Sequence, residues 1–363
     1  MKWRTFRADV LPMWVAEMDT PLAPAIATAL AESIALGDTG YAVAGRLAAA
    51  YASFAERRFG WAPDPSTMHV VPDVNIGIYE VARVVTEPGD AIVLDTPAYP
   101  PFFVKLRAAQ LTVVENPMVR TDAGYVPDLD GLARAFDAGA RSYLLCNPHN
   151  PTGAMFTREA LETIAALADQ YGVRVLADEV HGPLTYPGAT HVPFQSLDAP
   201  AARASVAFAS ASKAWNLAGL KAALAIPGPG AVDALAALPE DLEVSASLFG
   251  VLAGEVAFTE GLVWLEGLMA GLDHNRMRLA ARLAEDVPEI AYVPPAATYL
   301  AWLDCRALGL GDDPARTILD RGRLALNSGP AFGAAGNGFV RLNFAAHPEL
   351  IDEAVRRIAQ AVR

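Results

Sequence analysis

Between Met68 and Ala225 the chain alternates short apolar runs with longer amphipathic stretches, a pattern that few architectures can satisfy. The runs are Met68–Val71, Ala91–Leu94, Leu111–Val114, Ser142–Leu145, Val173–Ala177, Ser205–Ala209 and Ala222–Ala225. They are apolar at consecutive rather than alternate positions, which predicts strands buried on both faces. The stretches between them, such as Ile76–Val85, Leu129–Ala138 and Thr157–Tyr171, read as helices. In the last, Thr157 can cap the first turn, and Glu159 and Glu162 oppose the helix dipole. Strand followed by helix, repeated, predicts a mostly parallel sheet covered by helices.

The pattern changes after about Gly228. Ala231–Leu238 and the long region Ala246–Asp286 read as helical. Ile290–Val293, Tyr299–Leu303, Leu324–Asn327 and Gly338–Asn343 read as strands, and Glu349–Val362 as a closing amphipathic helix. The expected division is a large domain over residues 35–255 and a small α+β domain built from residues 1–34 and 256–363. A hydrophobic content of 53% across 363 residues supports a sizeable core. The net charge of −13 works against phosphate backbones and anionic lipid, so neither nucleic acid nor a membrane is an expected partner. The two cysteines, Cys146 and Cys305, have no metal spacing and read as buried free thiols, which fits a reducing cytoplasm.

Three loops carry chemistry. Ser210-Ala211-Ser212-Lys213-Ala214-Trp215-Asn216-Leu217-Ala218-Gly219-Leu220-Lys221 follows a predicted buried strand. As structure alone Lys213 is a surface-loop lysine. As chemistry it is an amine that condenses with an aldehyde, activated by desolvation and nearby positive charge. The serines and Lys221 could bind a phosphate. Asn147-Pro148-His149-Asn150-Pro151-Thr152-Gly153 is a rigid strand-to-helix loop at the sheet edge where α/β proteins bind ligands, and Asn150 could donate to a phenolate oxygen. Asp178-Glu179-Val180-His181 follows a strand directly. Such an acidic pair serves a metal, a helix start or a cofactor; no other carboxylate or histidine cluster supports a metal. Asp178 could pair with a protonated ring nitrogen, and His181 could reach a phenolic oxygen or carry protons.

The order Asn150, Asp178, Lys213, Arg341 resembles the class I/II aminotransferase family of fold-type-I enzymes dependent on pyridoxal 5′-phosphate, and the resemblance covers essentially the whole chain. Within it the chain looks most similar to the cystathionine β-lyase, or cysteine-S-conjugate β-lyase, branch. The segments that carry this likeness are Leu11–Asp19, Gly40-Tyr41, Pro97–Phe102, Asn147–Gly153, Asp178–His181, Ser212–Leu220 and Tyr299–Asp304. The resemblance implies an α/β fold-type-I architecture, a large domain with a mostly parallel seven-stranded sheet plus a smaller α+β domain. It implies that Lys213 carries the cofactor as a Schiff base, that Asp178 keeps the pyridine nitrogen protonated, that Asn150 and His181 face the phenolic oxygen and that Tyr99 stacks on the ring. Ser210, Ser212, Lys221 and the backbone of Val74 and Asn75 would serve the phosphate. Tyr41 would reach the phosphate of a neighbouring subunit, implying a homodimer. Arg341 would clamp the substrate α-carboxylate, with Trp14, Ala16 and Tyr299 near the substrate.

Two positions depart from the usual pattern. Asp73 stands where the lyase branch carries glycine, beside the expected phosphate site, and Lys221 stands where many aminotransferases carry arginine. The residues serve two outcomes equally. A cysteine S-conjugate would lose its thiolate and give pyruvate and ammonia; an amino acid with no leaving group would undergo half a transamination. The resemblance favours the lyase over the aminotransferase. A non-catalytic regulator is disfavoured because no basic DNA-binding segment is present, and a dinucleotide enzyme because no strand is followed by Gly-x-Gly-x-x-Gly.

Overall fold

The computed structural model describes residues 1–363. All seven expected strands form: β1 (His69–Val71), β2 (Ala91–Thr96), β3 (Thr112–Pro117), β4 (Ser142–Cys146), β5 (Arg174–Asp178), β6 (Val206–Ala209) and β7 (Ala223–Pro227). They make one sheet in the order β1-β7-β6-β5-β4-β2-β3. Neighbours from β6 to β3 are parallel, and β7 runs antiparallel to both β6 and β1. Every residue of β4, β6 and β7 is buried, as consecutive apolar positions demand of a sheet covered on both faces. The helix Arg158–Tyr171 begins as expected, with Thr157 Oγ1 accepting from the Ala160 amide at 3.2 Å.

Beyond residue 228, β8 (Leu300–Asp304), β9 (Asn327–Ser328) and β10 (Phe339–Asn343) form an antiparallel sheet in the order β8-β10-β9. The helix Pro348–Val362 closes the chain and packs on the helices Leu262–Asp286 and Pro314–Gly322. At the other end of the chain, Leu11 and Pro12 pair in parallel with Leu324 and Ala325. No single helix is long and apolar enough to cross a membrane. Both cysteines are buried and free.

Four expectations need correction. Ile290–Val293 is not a strand: only Ala291 bridges, to Asp304, and the prolines at 294 and 295 cannot donate to a ladder. Ala246–Asp286 is two helices, Leu248–Glu260 and Leu262–Asp286, meeting at 83°. The break is at Gly261, whose carbonyl accepts from Trp215 Nε1 at 3.1 Å and where an added Cβ would sit 2.4 Å from that nitrogen. Leu324–Asn327 divides between two partners, because the chain leaves Leu11–Pro12 and joins β10 within four residues. Ala231–Leu238 shortens to a helix over Val232–Leu235, with Pro239 following close behind.

Candidate functional site

The sheet topology gathers the motif loops. β1 runs antiparallel to β7, and β7 antiparallel to β6, so β1 points the same way as β2, β4, β5 and β6. All five strands therefore deliver their carboxyl ends to one edge, where ligands bind in open α/β sheets. From that edge depart Asp73, Tyr99, Asn150, Asp178 and the turn bearing Lys213. Register adds detail: Cys146 pairs with Asp178, and Asp178 with Phe208, so the asparagine loop, the aspartate and the lysine turn leave adjacent strands at one level.

Lys213 is partly buried. Burial, helped by the positive charge of Arg341, lowers its amine from 10.5 to about 8, while Asp178 and Glu17 pull the other way. Asp178 is buried, and burial raises its carboxyl to about 6 against a donated hydrogen bond and the charge of Lys213. Its Oδ1 accepts from the Val180 amide at 3.1 Å. His181 is buried edge-on to Tyr299, and its Nδ1 has no partner in the chain. Burial and the nearby cations Lys213 and Arg341 lower it to about 3, so the ring is neutral at physiological pH.

Arg341 lies at the centre of β10 and is buried without a carboxylate partner. Its Nη1 donates to Asn150 Oδ1 at 2.9 Å; its Nη2 donates to Asn327 Oδ1 at 2.9 Å and to the Trp14 carbonyl at 3.1 Å. The guanidinium stands 5.1 Å from the Phe332 ring centroid, and its buried Nε donates to nothing. Burial lowers Arg341 to about 10, still cationic at neutral pH. A buried cation held only by neutral acceptors is built to receive an anion. The Ala16 carbonyl accepts from Tyr299 Oη at 3.1 Å, which places Trp14, Ala16 and Tyr299 beside the arginine.

On the other side lies the helix Val74–Val85. Asp73 caps it, Oδ1 accepting from the Ile76 amide at 2.8 Å, which leaves the amides of Val74 and Asn75 without acceptors in the chain. Two free N–H groups at a helix start can cradle a phosphate. Lys221, in the left-handed region at φ 58°, does not stand free: its Nζ pairs with Asp73 Oδ2 at 2.8 Å. Ser210 Oγ donates to the Ala222 carbonyl at 2.7 Å and accepts from the Ser212 amide at 3.0 Å, so it braces the turn. Tyr99 heads the helix Pro100–Ala108, edge-on to Phe102, with its phenol raised by burial. Tyr41 is 88% exposed and takes no part in this grouping within one chain.

Sequence reasoning passed over three residues. Asn343 holds the arginine strand to the segment around Trp14, Asn327 accepts from the Arg341 guanidinium, and Asn216 holds the lysine turn to Met18. An asparagine inside the lysine motif was a visible signal for the last; the other two lie in ordinary strand text. No group of three His, Cys, Asp or Glu side chains is placed to hold a metal ion.

These residues fit pyridoxal phosphate on their own chemistry. An unprotonated-prone lysine, a buried carboxylate, an unpartnered histidine nitrogen and two free helix amides correspond to an aldehyde, a pyridine nitrogen, a phenolic oxygen and a phosphate. Comparison with known proteins agrees. Residues 8–358 match the aminotransferase class I and II family. A Mycobacterium tuberculosis protein provisionally named cystathionine beta-lyase is 44% identical, the match spanning 100% of this chain and 94% of that one. The cystathionine beta-lyase of Corynebacterium glutamicum is 36% identical over 100% of this chain and 96% of its own. A Corynebacterium diphtheriae crystal structure, provisionally described as a PLP-dependent beta-cystathionase, superposes with a TM-score of 0.94 at 36% identity, covering 100% of this chain and 95% of the other.

Proposed function

The chain belongs to the aminotransferase class I and II family, and we propose that it is a pyridoxal-phosphate-dependent carbon–sulfur β-lyase that cleaves cystathionine or related cysteine S-conjugates to a thiol, pyruvate and ammonia. The observation that carries the site is the buried Arg341, a cation with no counter-ion in the chain, joined through Asn150 to the same cleft as Lys213 and Asp178. The full-length likeness to cystathionine β-lyases supports the choice of reaction.

In this reading Lys213, Asp178, Asn150, His181, Tyr99, the Val74 and Asn75 amides, Ser212 and Lys221 hold the cofactor, and Ser210 braces the loop that carries the lysine. When bound, pyridoxal phosphate supplies an aldehyde for an amine and a protonated ring that withdraws electrons from the substrate α-carbon. Asp178 keeps a proton on the ring nitrogen. Arg341 takes the α-carboxylate through its planar fork, with Trp14 and Ala16 lining the approach. Lys213, its amine lowered to about 8 in the free state, would take the α-proton as general base once the substrate amine has replaced it on the aldehyde. The sulfur then leaves the β-carbon as a thiolate, which departs readily because thiol pKa values lie near ~8.5. Water converts the remaining three-carbon fragment to pyruvate and ammonia. Tyr41, exposed in one chain, would complete the phosphate site of a second copy in a homodimer. The free buried thiols support a cytoplasmic setting.

The test is to load the protein with pyridoxal phosphate, add L-cystathionine, and follow pyruvate and free thiol, with Lys213→Ala as control. Equal yields of both, lost in the control, are expected. Conversion of amino acids to oxo acids without thiol release would make the protein an aminotransferase and end the lyase reading.

A further inference from the structure

Residues 14–18 cross the site with a tight bend at Val15 and Ala16, where the Glu17 amide bonds the Val15 carbonyl at 2.8 Å, and their five consecutive carbonyls are each taken by a side chain. Arg341 donates to Trp14 at 3.1 Å, Asn343 to Val15 at 2.7 Å and Glu17 at 2.6 Å, and Tyr299 to Ala16 at 3.1 Å. Those donors come from β10 and from the residue just before β8. The fifth comes from elsewhere: Asn216, in the turn of Lys213, donates Nδ2 to the Met18 carbonyl at 3.0 Å and accepts from the Met18 amide at Oδ1 at 2.9 Å. Its side-chain amide thus pairs with both backbone groups of Met18, as a neighbouring strand would. The backbone of Asn216 adopts φ 58°, in the left-handed region that asparagine enters more readily than other side-chain-bearing residues. The backbone of the turn is closed on itself, with the Trp215 amide on the Ala211 carbonyl at 3.1 Å and the Leu217 amide on the Ser212 carbonyl at 3.0 Å, and its other side-chain ties, Trp215 to Gly261 and Ser210 to Ala222, lead away from residues 14–18.

We infer that Asn216 is the positioning residue that sets the Lys213 amine relative to the Arg341 guanidinium, by tying the lysine turn to the segment that the arginine also grips. This deepens the proposed function and rests on Lys213 being its reacting amine. Arg341 keeps its bonds to Asn150, Asn327 and Trp14 when Asn216 is changed. Substrate binding should therefore survive, while the alignment of the amine with the α-proton should not. Misplacement of a reacting group by about 1 Å costs on the order of 10²-fold in rate.

The test compares Asn216→Gly, which keeps the left-handed backbone but removes both bonds, with Asn216→Asp, which keeps the acceptor for the Met18 amide and sets a carboxylate against its carbonyl. The holoenzyme is read in two ways. The pH midpoint of the bound-cofactor absorbance band, taken without substrate, reports the setting of Lys213 and does not depend on which reaction the enzyme performs. Steady-state kinetics with cystathionine then separates kcat from KM. Expected are a band midpoint moved by half a pH unit or more in both variants, a kcat lower by roughly 10- to 100-fold, and a KM within about threefold of the parent. An unmoved midpoint with unchanged kcat would overturn the inference. So would a raised KM with unchanged kcat, which would place Asn216 in the service of the carboxylate site alone. If the parent enzyme releases no pyruvate, the lyase reading fails, and the band midpoint still decides the role of Asn216.

Discussion

Asp73 does two separable jobs, and replacing it with asparagine removes only one. Its Oδ1 caps the helix Val74–Val85 through the Ile76 amide, and its Oδ2 pairs with Lys221. Asparagine caps a helix about as well as aspartate, so Asp73→Asn keeps the helix start intact. What disappears is a negative charge next to the proposed phosphate cradle, and with it the competitor for the Lys221 ammonium. The Lys221 side chain is 55% exposed and that of Asp73 28%, so the pair is screened and stabilises by only about 0.2–1 kcal/mol. A lysine released to a phosphate gains a charge-assisted contact, worth about 1 kcal/mol more after discounting for its exposure. The sum, about 1–2 kcal/mol, predicts roughly 5- to 30-fold tighter binding of pyridoxal phosphate at one decade per 1.36 kcal/mol. The assay is titration of cofactor-stripped protein with pyridoxal phosphate, followed by intrinsic fluorescence at low and high salt. The advantage of the variant should shrink as salt rises, because the lost charge acts through solvent. Asp73→Ala supplies the internal control: it frees Lys221 but loses the cap, so it should tighten the cofactor while melting earlier. Equal or weaker cofactor binding by Asp73→Asn would refute the reasoning, and would mean that the carboxylate organises the cradle rather than opposing it.

Two further substitutions test the rest of the site. Arg341→Lys keeps the charge but cannot reproduce three donations from one planar head, so KM for cystathionine should rise about 100-fold with a smaller change in kcat; a KM within threefold of the parent would remove the arginine from the carboxylate site. Asp178→Asn should stabilise the cofactor-free protein while crippling catalysis. The folded carboxyl is raised from 3.8 to about 6, so between about pH 4 and 6 the folded chain holds a proton that the unfolded chain has released. Stability at this site therefore falls as pH rises through that window, by at most about 3 kcal/mol, a net figure that already includes the attraction of Asp178 to Lys213. Thermal melts of the apoprotein should show the variant ahead above pH 6 and level with the parent below pH 4; a constant difference across pH would show that burial of the charge is not its origin.

The central sheet was legible because its signal is local and repeated: consecutive apolar residues flanked by turn formers leave a buried strand little choice. The same reasoning singled out Asp178 and Lys213, since each stands at or just beyond the end of such a strand and the strands share one direction. It failed where the deciding contact is distant. Within Ala246–Asp286 Gly261 is one of five glycines and nothing local singles it out as the break, which is marked by Trp215 reaching its carbonyl from 46 residues away. Nothing beside Lys221 shows that Asp73, 148 residues earlier, has taken its charge. The functional consequence follows the same division. Residues proposed to meet the cofactor sit at strand ends and could be named from short motifs. Those that brace its surroundings, Asn216 and Asn343 on the backbone of residues 15–18 and Asn327 on Arg341, are neutral asparagines whose partners lie on other elements. Neutral amides suit that work because they bind backbone and side-chain groups firmly and add no charge to a cleft where a lysine is lowered to about 8 and a carboxyl raised to about 6. A charged residue in any of those places would act on both groups, so neutral asparagines can brace the cleft without disturbing the proton chemistry proposed for Lys213 and Asp178.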